Sequence, residues 1–152
     1  MILPSKETLL RGCSGTRAPD HPIVVAAREL TRLHRRRIGI APSRCPEIDC
    51  ARTQLINSID RWVTIHHPQD PTAAYLQSES VGMIVDRIAQ YTAEAHGALA
   101  DNIAEPHRHL LWLRLAELAC AYSDLAFEVG TGRRRLPTLT YLPGGKETWS
   151  PI

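Results

Sequence analysis

The fold is decided by residues 106–129, which read PHRHLLWLRLAELACAYSDLAFEV. At about 100° per residue, this stretch forms a helix that is apolar on nearly every side. The exception is a narrow acidic strip of Glu117, Asp124 and Glu128, with Arg114 beside it. The strip is either the one wet side of the helix or an internal polar site. The function of the chain depends on which of these holds.

One flank of the same helix is also apolar. Leu113, Cys120 and Phe127 extend the apolar surface beyond the inward-facing side. A helix with so much apolar surface is typical of the middle of a bundle. We therefore predict that residues 106–129 lie inside a helical bundle.

Three further helices are predicted from apolar residues that recur every three to four positions. They cover about residues 22–39, 46–66 and 80–101, and the last begins after Ser78 or Ser80 as its cap. The short connection to residue 106 predicts an antiparallel hairpin. The 152 residues fit one domain. We expect an all-α bundle of four principal helices, with a helical core over about residues 20–130 and an extended C-terminal arm over about residues 131–152.

Composition excludes several classes of protein. The hydrophobic fraction of 43% and the aromatic fraction of 5% suit a globular helical core. No apolar run approaches the roughly 20 residues that span a bilayer, and residues 1–11 lack the apolar centre of a signal peptide. We therefore expect a cytoplasmic protein that does not interact with membranes. The excess of 16 Arg over 2 Lys is typical of a GC-rich genome and points to an actinobacterium or one of its phages.

Nothing in the spacing of the chemically active residues predicts a catalytic centre. The four cysteines show no zinc-site spacing, so we expect reduced cysteines that serve packing. No nucleophile arrangement and no Gly-rich phosphate loop is evident. His34 falls on the apolar face of the first helix, where a satisfied core residue is expected. We predict no catalytic residue, no metal and no cofactor.

A second face of the third helix consists of small residues. The members of this small-residue seam are Gly82, Ala89, Ala93 and Gly97. Asp86 sits within the seam, and if the seam is packed, that carboxylate needs a cationic partner. Residues 59–63 and 85–89 echo each other, because in both an aspartate, Asp60 or Asp86, is followed by arginine. Both aspartates are hypothesised to lie near the acidic strip, as one polar site.

Several stretches resemble a family of uncharacterised helical proteins found in bacteria, including actinobacteria and their phages. They are His21-Pro22, Arg28-Glu29-Leu30, Leu33-His34, residues 59–63, residues 85–87, residues 112–118, residues 121–125 and residues 134–137. The resemblance covers about residues 19–137 and departs at both ends of the chain. The family is a domain of unknown function, so the resemblance implies an α-helical fold and no particular activity.

The leading interpretation is a regulatory or protein-interaction module that self-associates or binds an unknown protein partner. It depends on the arm, which is too short to form a core of its own and must pack on a surface. The apolar residues of the arm are Leu136, Leu139, Tyr141, Leu142 and Trp149. That surface belongs either to the same bundle or to another chain.

Two alternatives stay open. In the first, arginines bind the phosphates of a nucleic acid; the candidates are Arg28, Arg32, Arg35, Arg36, Arg133, Arg134 and Arg135. In the second, the acidic strip holds divalent cations, as in helical-bundle nucleotide phosphohydrolases. The spacing of Glu117, Asp124 and Glu128 does not match the ExxE and ExxD pairs of those enzymes, and a solvated face tolerates such carboxylates.

Overall fold

The computed structural model describes residues 3–138 of the chain. The helices in this range are α1 (Lys6–Cys13), α2 (Pro22–Arg37), α3 (Pro46–His66), α4 (Val81–Ala100) and α5 (Glu105–Gly130), with a 3-10 turn at Pro42–Arg44 before α3. Two short strands, β1 (Tyr75–Leu76) and β2 (Arg134–Arg135), pair in parallel. In their register, Tyr75 lies opposite Arg134 and Leu76 opposite Arg135.

The prediction of an all-α fold is confirmed. Each of the four predicted helices is present, and its ends lie within two residues of the predicted positions. Within residues 3–138, the only sheet is the pair β1 and β2, which joins the segment after α5 to the loop before α4. No helix in the same range is both long enough and apolar enough to cross a membrane.

The expectation that the helical core begins near residue 20 is wrong, because α1 lies before that point. Ser5 caps α1 by accepting a hydrogen bond from the backbone N–H of Thr8. Leu9 and Cys13 are fully buried against the other helices. An eight-residue helix spans only about two turns, too few for apolar periodicity to reveal it.

The central helix of the described chain is α4. It packs against α1, α2, α3 and α5. The small-residue seam explains this position, because a Cβ on Gly82 would lie 2.5 Å from the carbonyl oxygen of Ile56 in α3. Ala89 and Ala93 are fully buried as well. The seam is therefore packed, and only a helix with such small residues lets its neighbours approach this closely.

The position of α5 differs from the prediction. This helix packs against α4, α1 and β2, and it buries one side only, at Leu115, Ala119, Tyr122, Leu125, Ala126 and Val129. Leu113 and Phe127 are 44% and 55% exposed. The prediction that residues 106–129 lie inside the bundle is wrong, because the small residues of α4 give that helix the central place and leave α5 at the edge.

Candidate functional site

The candidate site is built around Asp86, in the middle of α4. The side chain of Asp86 is buried, and α2 and α3 bring His34 and Arg52 to it. His34 Nε2 lies 2.8 Å from Asp86 Oδ1, and Arg52 Nη2 lies 2.6 Å from Asp86 Oδ2. An ionised carboxylate only accepts hydrogen bonds, so His34 Nε2 is the donor. The expectation that Asp86 has a cationic partner if the small-residue seam is packed is confirmed, and the partner is Arg52.

The polar contacts continue outward from Arg52 to the surface. Arg52 Nη1 donates to Asp49 Oδ1 at 2.9 Å, and Arg37 Nε donates to the same oxygen at 3.1 Å. Asp49 and Arg37 are only partly buried. These five side chains form one line of polar contacts, His34–Asp86–Arg52–Asp49–Arg37, which we call the polar chain. It joins α2, α3 and α4.

The charge of Asp86 is stabilised by its partners. Burial by itself disfavours the ionised carboxylate, but the hydrogen bonds from His34 and Arg52, together with the positive charge of Arg52, outweigh burial and hold the pKa of Asp86 below its usual range. Asp86 therefore stays ionised at neutral pH. Buried ions of this kind are tolerated when each has a partner of opposite charge with good geometry.

Asp60 is also buried but has a different environment. Its Oδ1 accepts a hydrogen bond from the backbone N–H of Gly82 at 2.7 Å, at the beginning of α4. Ser80 bonds to the same carboxyl group and also caps α4 through the N–H of Met83. Within residues 3–138, Asp60 forms no salt bridge. Burial therefore dominates and raises the pKa of Asp60, although both hydrogen bonds oppose the rise.

A cavity of about 230 Å³ lies next to Asp60. Its walls include the apolar residues Val63, Val81 and Leu136 and the polar residues His67 and Gln69. The described part of the chain ends at its edge, because Pro137 and Thr138 line it too.

The acidic strip faces outward and is not an internal site. Glu117 and Asp124 are exposed, and Glu128 is half-buried and pairs with Arg134. Arg114 is exposed, and its guanidinium carbon lies 4.3 Å from the centre of the Tyr91 ring.

The hypothesis that the strip joins Asp60 and Asp86 in one polar site is wrong, because those two aspartates have their own partners on α2, α3 and α4. Among residues 3–138, no three His, Cys, Asp or Glu side chains converge as a metal site would require.

Comparison with known proteins identifies the family. The family described as protein of unknown function (DUF4254) matches residues 27–138. The chain belongs to this family. No curated protein and no solved structure matches the chain. The resemblance seen in the sequence is thus confirmed, and the matched region contains the whole polar chain, Asp60 and α5, while α1 lies before it.

Within the DUF4254 region, the candidate phosphate-binding arginines of α2 are all exposed. They are Arg28, Arg32, Arg35 and Arg36. Two of the four contact other side chains, because Arg32 pairs with Glu29 at 3.5 Å and Arg35 lies 3.3 Å from His96. The exposure of this face leaves α2 able to meet a charged partner.

The arginines after α5 are less exposed, as a group, than those of α2. Arg133 is exposed, but Arg134 pairs with Glu128 and lies over the ring of Tyr75 at 5.7 Å. Arg135 is half-buried in β2. These contacts connect β2 to α5 and to the loop before α4, which is a structural role.

Leu113, Cys120 and Phe127 stand in one line on the outer side of α5, and we call this line the α5 flank. All three are exposed, and Cys120 is a free thiol. Lys6 of α1 reaches the middle of the line, with its Nζ 3.7 Å from Cys120 Sγ. In the structure of the described residues, no other helix covers this line.

The arm begins on the chain's own core. Leu136 is buried, and its backbone N–H donates to Gln69 Oε1 at 2.6 Å. The remaining predicted contact residues, Leu139, Tyr141, Leu142 and Trp149, lie outside the described residues. Among the predicted contact residues of the arm, Leu136 therefore packs on its own chain.

Sequence analysis missed three members of the polar chain, Arg37, Asp49 and Arg52. Asp49 and Arg52 lie on α3 at a spacing of three, which allows a contact within one helix. That spacing could have identified them as a pair. Nothing in one sequence indicates that Arg52, rather than another of the 16 arginines, reaches Asp86, because the choice depends on how α3 crosses α4.

Proposed function

We propose that the chain is a helical protein-interaction module that self-associates through the α5 flank. The observation that carries the proposal is the exposure of this line, with Leu113 at 44% and Phe127 at 55%. Full burial of a side chain of either type contributes about 1.5–3 kcal/mol, so burying the exposed half of each contributes about 0.8–1.5 kcal/mol. Two copies that meet here would remove four such side chains from water.

Single exposed apolar residues are ordinary, and this chain has others. Ile65 on α3 is 65% exposed, and Met83 and Leu99 on α4 are 47% and 52% exposed, but the two residues of α4 lie about 160° apart around the helix and form no line. The α5 flank differs because its members repeat every seven residues. Successive members are therefore rotated by only about 20° around the helix axis and lie nearly on one line. Its three positions span about 21 Å along the helix. A continuous apolar line of this length favours contact with another helix.

The size of the surface predicts a weak complex. With 26 residues, α5 is about 39 Å long, and a strip about 10 Å wide along it covers about 390 Å². A standard interface buries about 800 Å² on each partner. We therefore expect a reversible dimer that forms at micromolar or higher concentration.

Sedimentation velocity of the full chain over about 1–300 µM tests the proposal. We expect a shift from monomer to dimer as the concentration rises. Phe127→Arg should move the midpoint at least about tenfold higher, which corresponds to about 1.4 kcal/mol. Ile65→Arg is the matched control, because Ile65 is an apolar residue on α3 that is at least as exposed as Phe127, and it should leave the midpoint unchanged.

A full chain that stays monomeric over this range would contradict the proposal. The same measurement on a chain that ends at Thr138 shows whether the rest of the arm contributes. If only the truncated chain dimerises, residues 139–152 cover the α5 flank and the proposal fails for the intact protein.

Nucleic-acid binding is the second candidate function, and the exposure of all four α2 arginines favours it. Fluorescence anisotropy with a labelled duplex tests it at two salt concentrations. If Arg28, Arg32 and Arg36 contact phosphates, replacing all three by Gln should weaken binding and reduce the salt slope by about 3. Replacing Arg17 and Arg44, which are exposed elsewhere, is the control.

A further inference from the structure

The geometry of α5 points to one arrangement of the dimer. We infer that two copies pair with their α5 helices parallel and in register, so that the two Cys120 side chains meet on the twofold axis. This inference rests on the proposed self-association through the α5 flank and specifies how the second copy sits.

The residues on α5 follow a heptad pattern on its outer side. Leu113, Cys120 and Phe127 occupy one core position, and the residue three further along is small each time: Ala116, Ser123 and Gly130. Ala116 and Gly130 are exposed, and Ser123 is half-buried. Small residues at the second core position let two helices approach closely, while the large ones fill the space between them. These six residues form a second seam, which we call the α5 seam. It is distinct from the small-residue seam of α4 and from the side of α5 that packs on α4.

Charges on the two edges of the α5 seam decide whether the two α5 helices run parallel or antiparallel. On a helical wheel, Glu117 and Asp124 lie about 40–60° to one side of Cys120. We assign the other edge to α1 and its Lys6, because Ala119 and Ala126 of α5 are buried on that side while Ala121 on the acidic side is exposed, and Lys6 Nζ lies 3.7 Å from Cys120 Sγ. The α5 seam therefore has one acidic edge and one basic edge.

The two possible directions join these edges differently. In an antiparallel pair, equivalent edges face each other, so Glu117 would face Asp124 of the second copy and Lys6 would face Lys6. In a parallel pair, the acidic edge of one copy faces the basic edge of the other. Each Lys6 then lies between Glu117 and Asp124 of the second copy. Opposite charges across the edges of a seam set partner orientation in this way, so the parallel pair is favoured.

The parallel arrangement has a chemical consequence. Two Cys120 thiols that meet on the axis can form one disulfide, and each thiol loses a proton and an electron in the process. Oxidised glutathione serves as the oxidant: a Cys120 thiolate attacks it and releases one glutathione thiolate. The second Cys120 thiolate then attacks the mixed disulfide and releases the other.

Cross-linking of the full chain with oxidised glutathione tests the inference. We expect a dimer linked through Cys120, visible on a non-reducing gel and absent in Cys120→Ser. Cys50 is the matched control, because it is also a free, exposed cysteine, and Cys50→Ser should cross-link normally. Cys120 should link about tenfold faster than Cys50, since an interface raises its effective concentration to the millimolar range.

The direction is tested in a chain that carries both Cys50→Ser and Cys120→Ser. In a parallel dimer, Leu113→Cys alone cross-links to its own copy. In an antiparallel dimer, it cross-links only when mixed with a Phe127→Cys chain. Lys6→Glu should also weaken a parallel dimer at low salt, and high salt should reduce this effect.

The outcomes separate this inference from the proposed function. A monomer at every concentration overturns both. A dimer in which Cys120 does not cross-link, or in which only the mixed Leu113→Cys and Phe127→Cys pair does, overturns the parallel arrangement and leaves self-association standing.

Discussion

Asp60 and Asp86 occupy matching positions in the two similar stretches 59–63 and 85–89, yet their surroundings shift their pKa values in opposite directions. Both are buried and both are followed by arginine. Asp86 is held between Arg52 and His34, and its pKa is lowered. Asp60 has a backbone N–H and a serine as partners, and its pKa is raised.

The difference follows from where each carboxylate meets α4. Asp60 meets the beginning of the helix, where the first N–H groups have no partner within the helix and Gly82 can donate to it. Asp86 lies inside α4, where the N–H groups are already bonded to carbonyls. A carboxylate in the middle of a helix must therefore find a cation on another helix. The same residue type thus caps a helix in one place and anchors a charge pair in the other.

The largest expected effect is on Asp86. Asp86→Asn removes the charge but keeps the shape, breaks the buried ion pair with Arg52, and leaves Arg52 only the partly exposed Asp49 as a carboxylate partner, so we expect a loss of about 3–5 kcal/mol of unfolding free energy. Urea melts at pH 7 measure it. Asp124→Asn is the control, because Asp124 is exposed, and it should change the free energy by no more than about 0.5 kcal/mol. A similarly small change for Asp86→Asn would mean that the polar chain contributes little to stability.

A smaller effect is expected at Asp60, and there the type of substitution matters. Asp60→Asn keeps an oxygen that accepts from Gly82 N–H and removes a buried charge, so the free energy of unfolding should change by less than about 1 kcal/mol. Asp60→Ala leaves that N–H without a partner and should cost about 1–3 kcal/mol. Melts of the two variants beside Asp86→Asn check the comparison directly. Equal losses for Asp60→Asn and Asp86→Asn would show that the two environments are not energetically different.

The pKa directions predict opposite pH dependences. The folded pKa of Asp86 is lowered, so its contribution to stability is present above the unfolded value of about 3.9 and is lost as pH falls through the folded pKa. The folded pKa of Asp60 is raised, so its contribution is present below about 3.9 and is lost as pH rises through the folded pKa. Melting temperatures between pH 3 and pH 7 test this. Asp60→Asn should flatten the dependence of the melting temperature on pH above about pH 4. Asp86→Asn should flatten the same dependence below about pH 4.

The sequence predicts most of the fold because its helices carry their own signals. Pro22 and Pro46 open two helices, and Ser80 caps a third. The packing order is harder to predict, because the apolar surface of α5 suggests a central helix, whereas close backbone contact at Gly82 gives that place to α4. The need of Asp86 for a cation is predictable from its place in the seam. Which side chain supplies the cation depends on how α3 crosses α4, and the residues near Asp86 in the sequence do not determine that crossing.

The smallest expected effect, close to zero, concerns the acidic strip and divalent cations. Glu117 and Asp124 are exposed, and two unit charges 4 Å apart in water attract by only about 1 kcal/mol, which salt screens further. Only a ligand that binds the folded state preferentially raises the melting temperature. Millimolar Mg²⁺ or Mn²⁺ should therefore shift the melting temperature no more than NaCl of equal ionic strength. A saturable rise that disappears in Glu117→Gln or Asp124→Asn would instead support the metal-dependent phosphohydrolase. It would also mean that the strip gains further ligands from residues beyond Thr138 or from a second copy, because within the described chain its third member, Glu128, already pairs with Arg134.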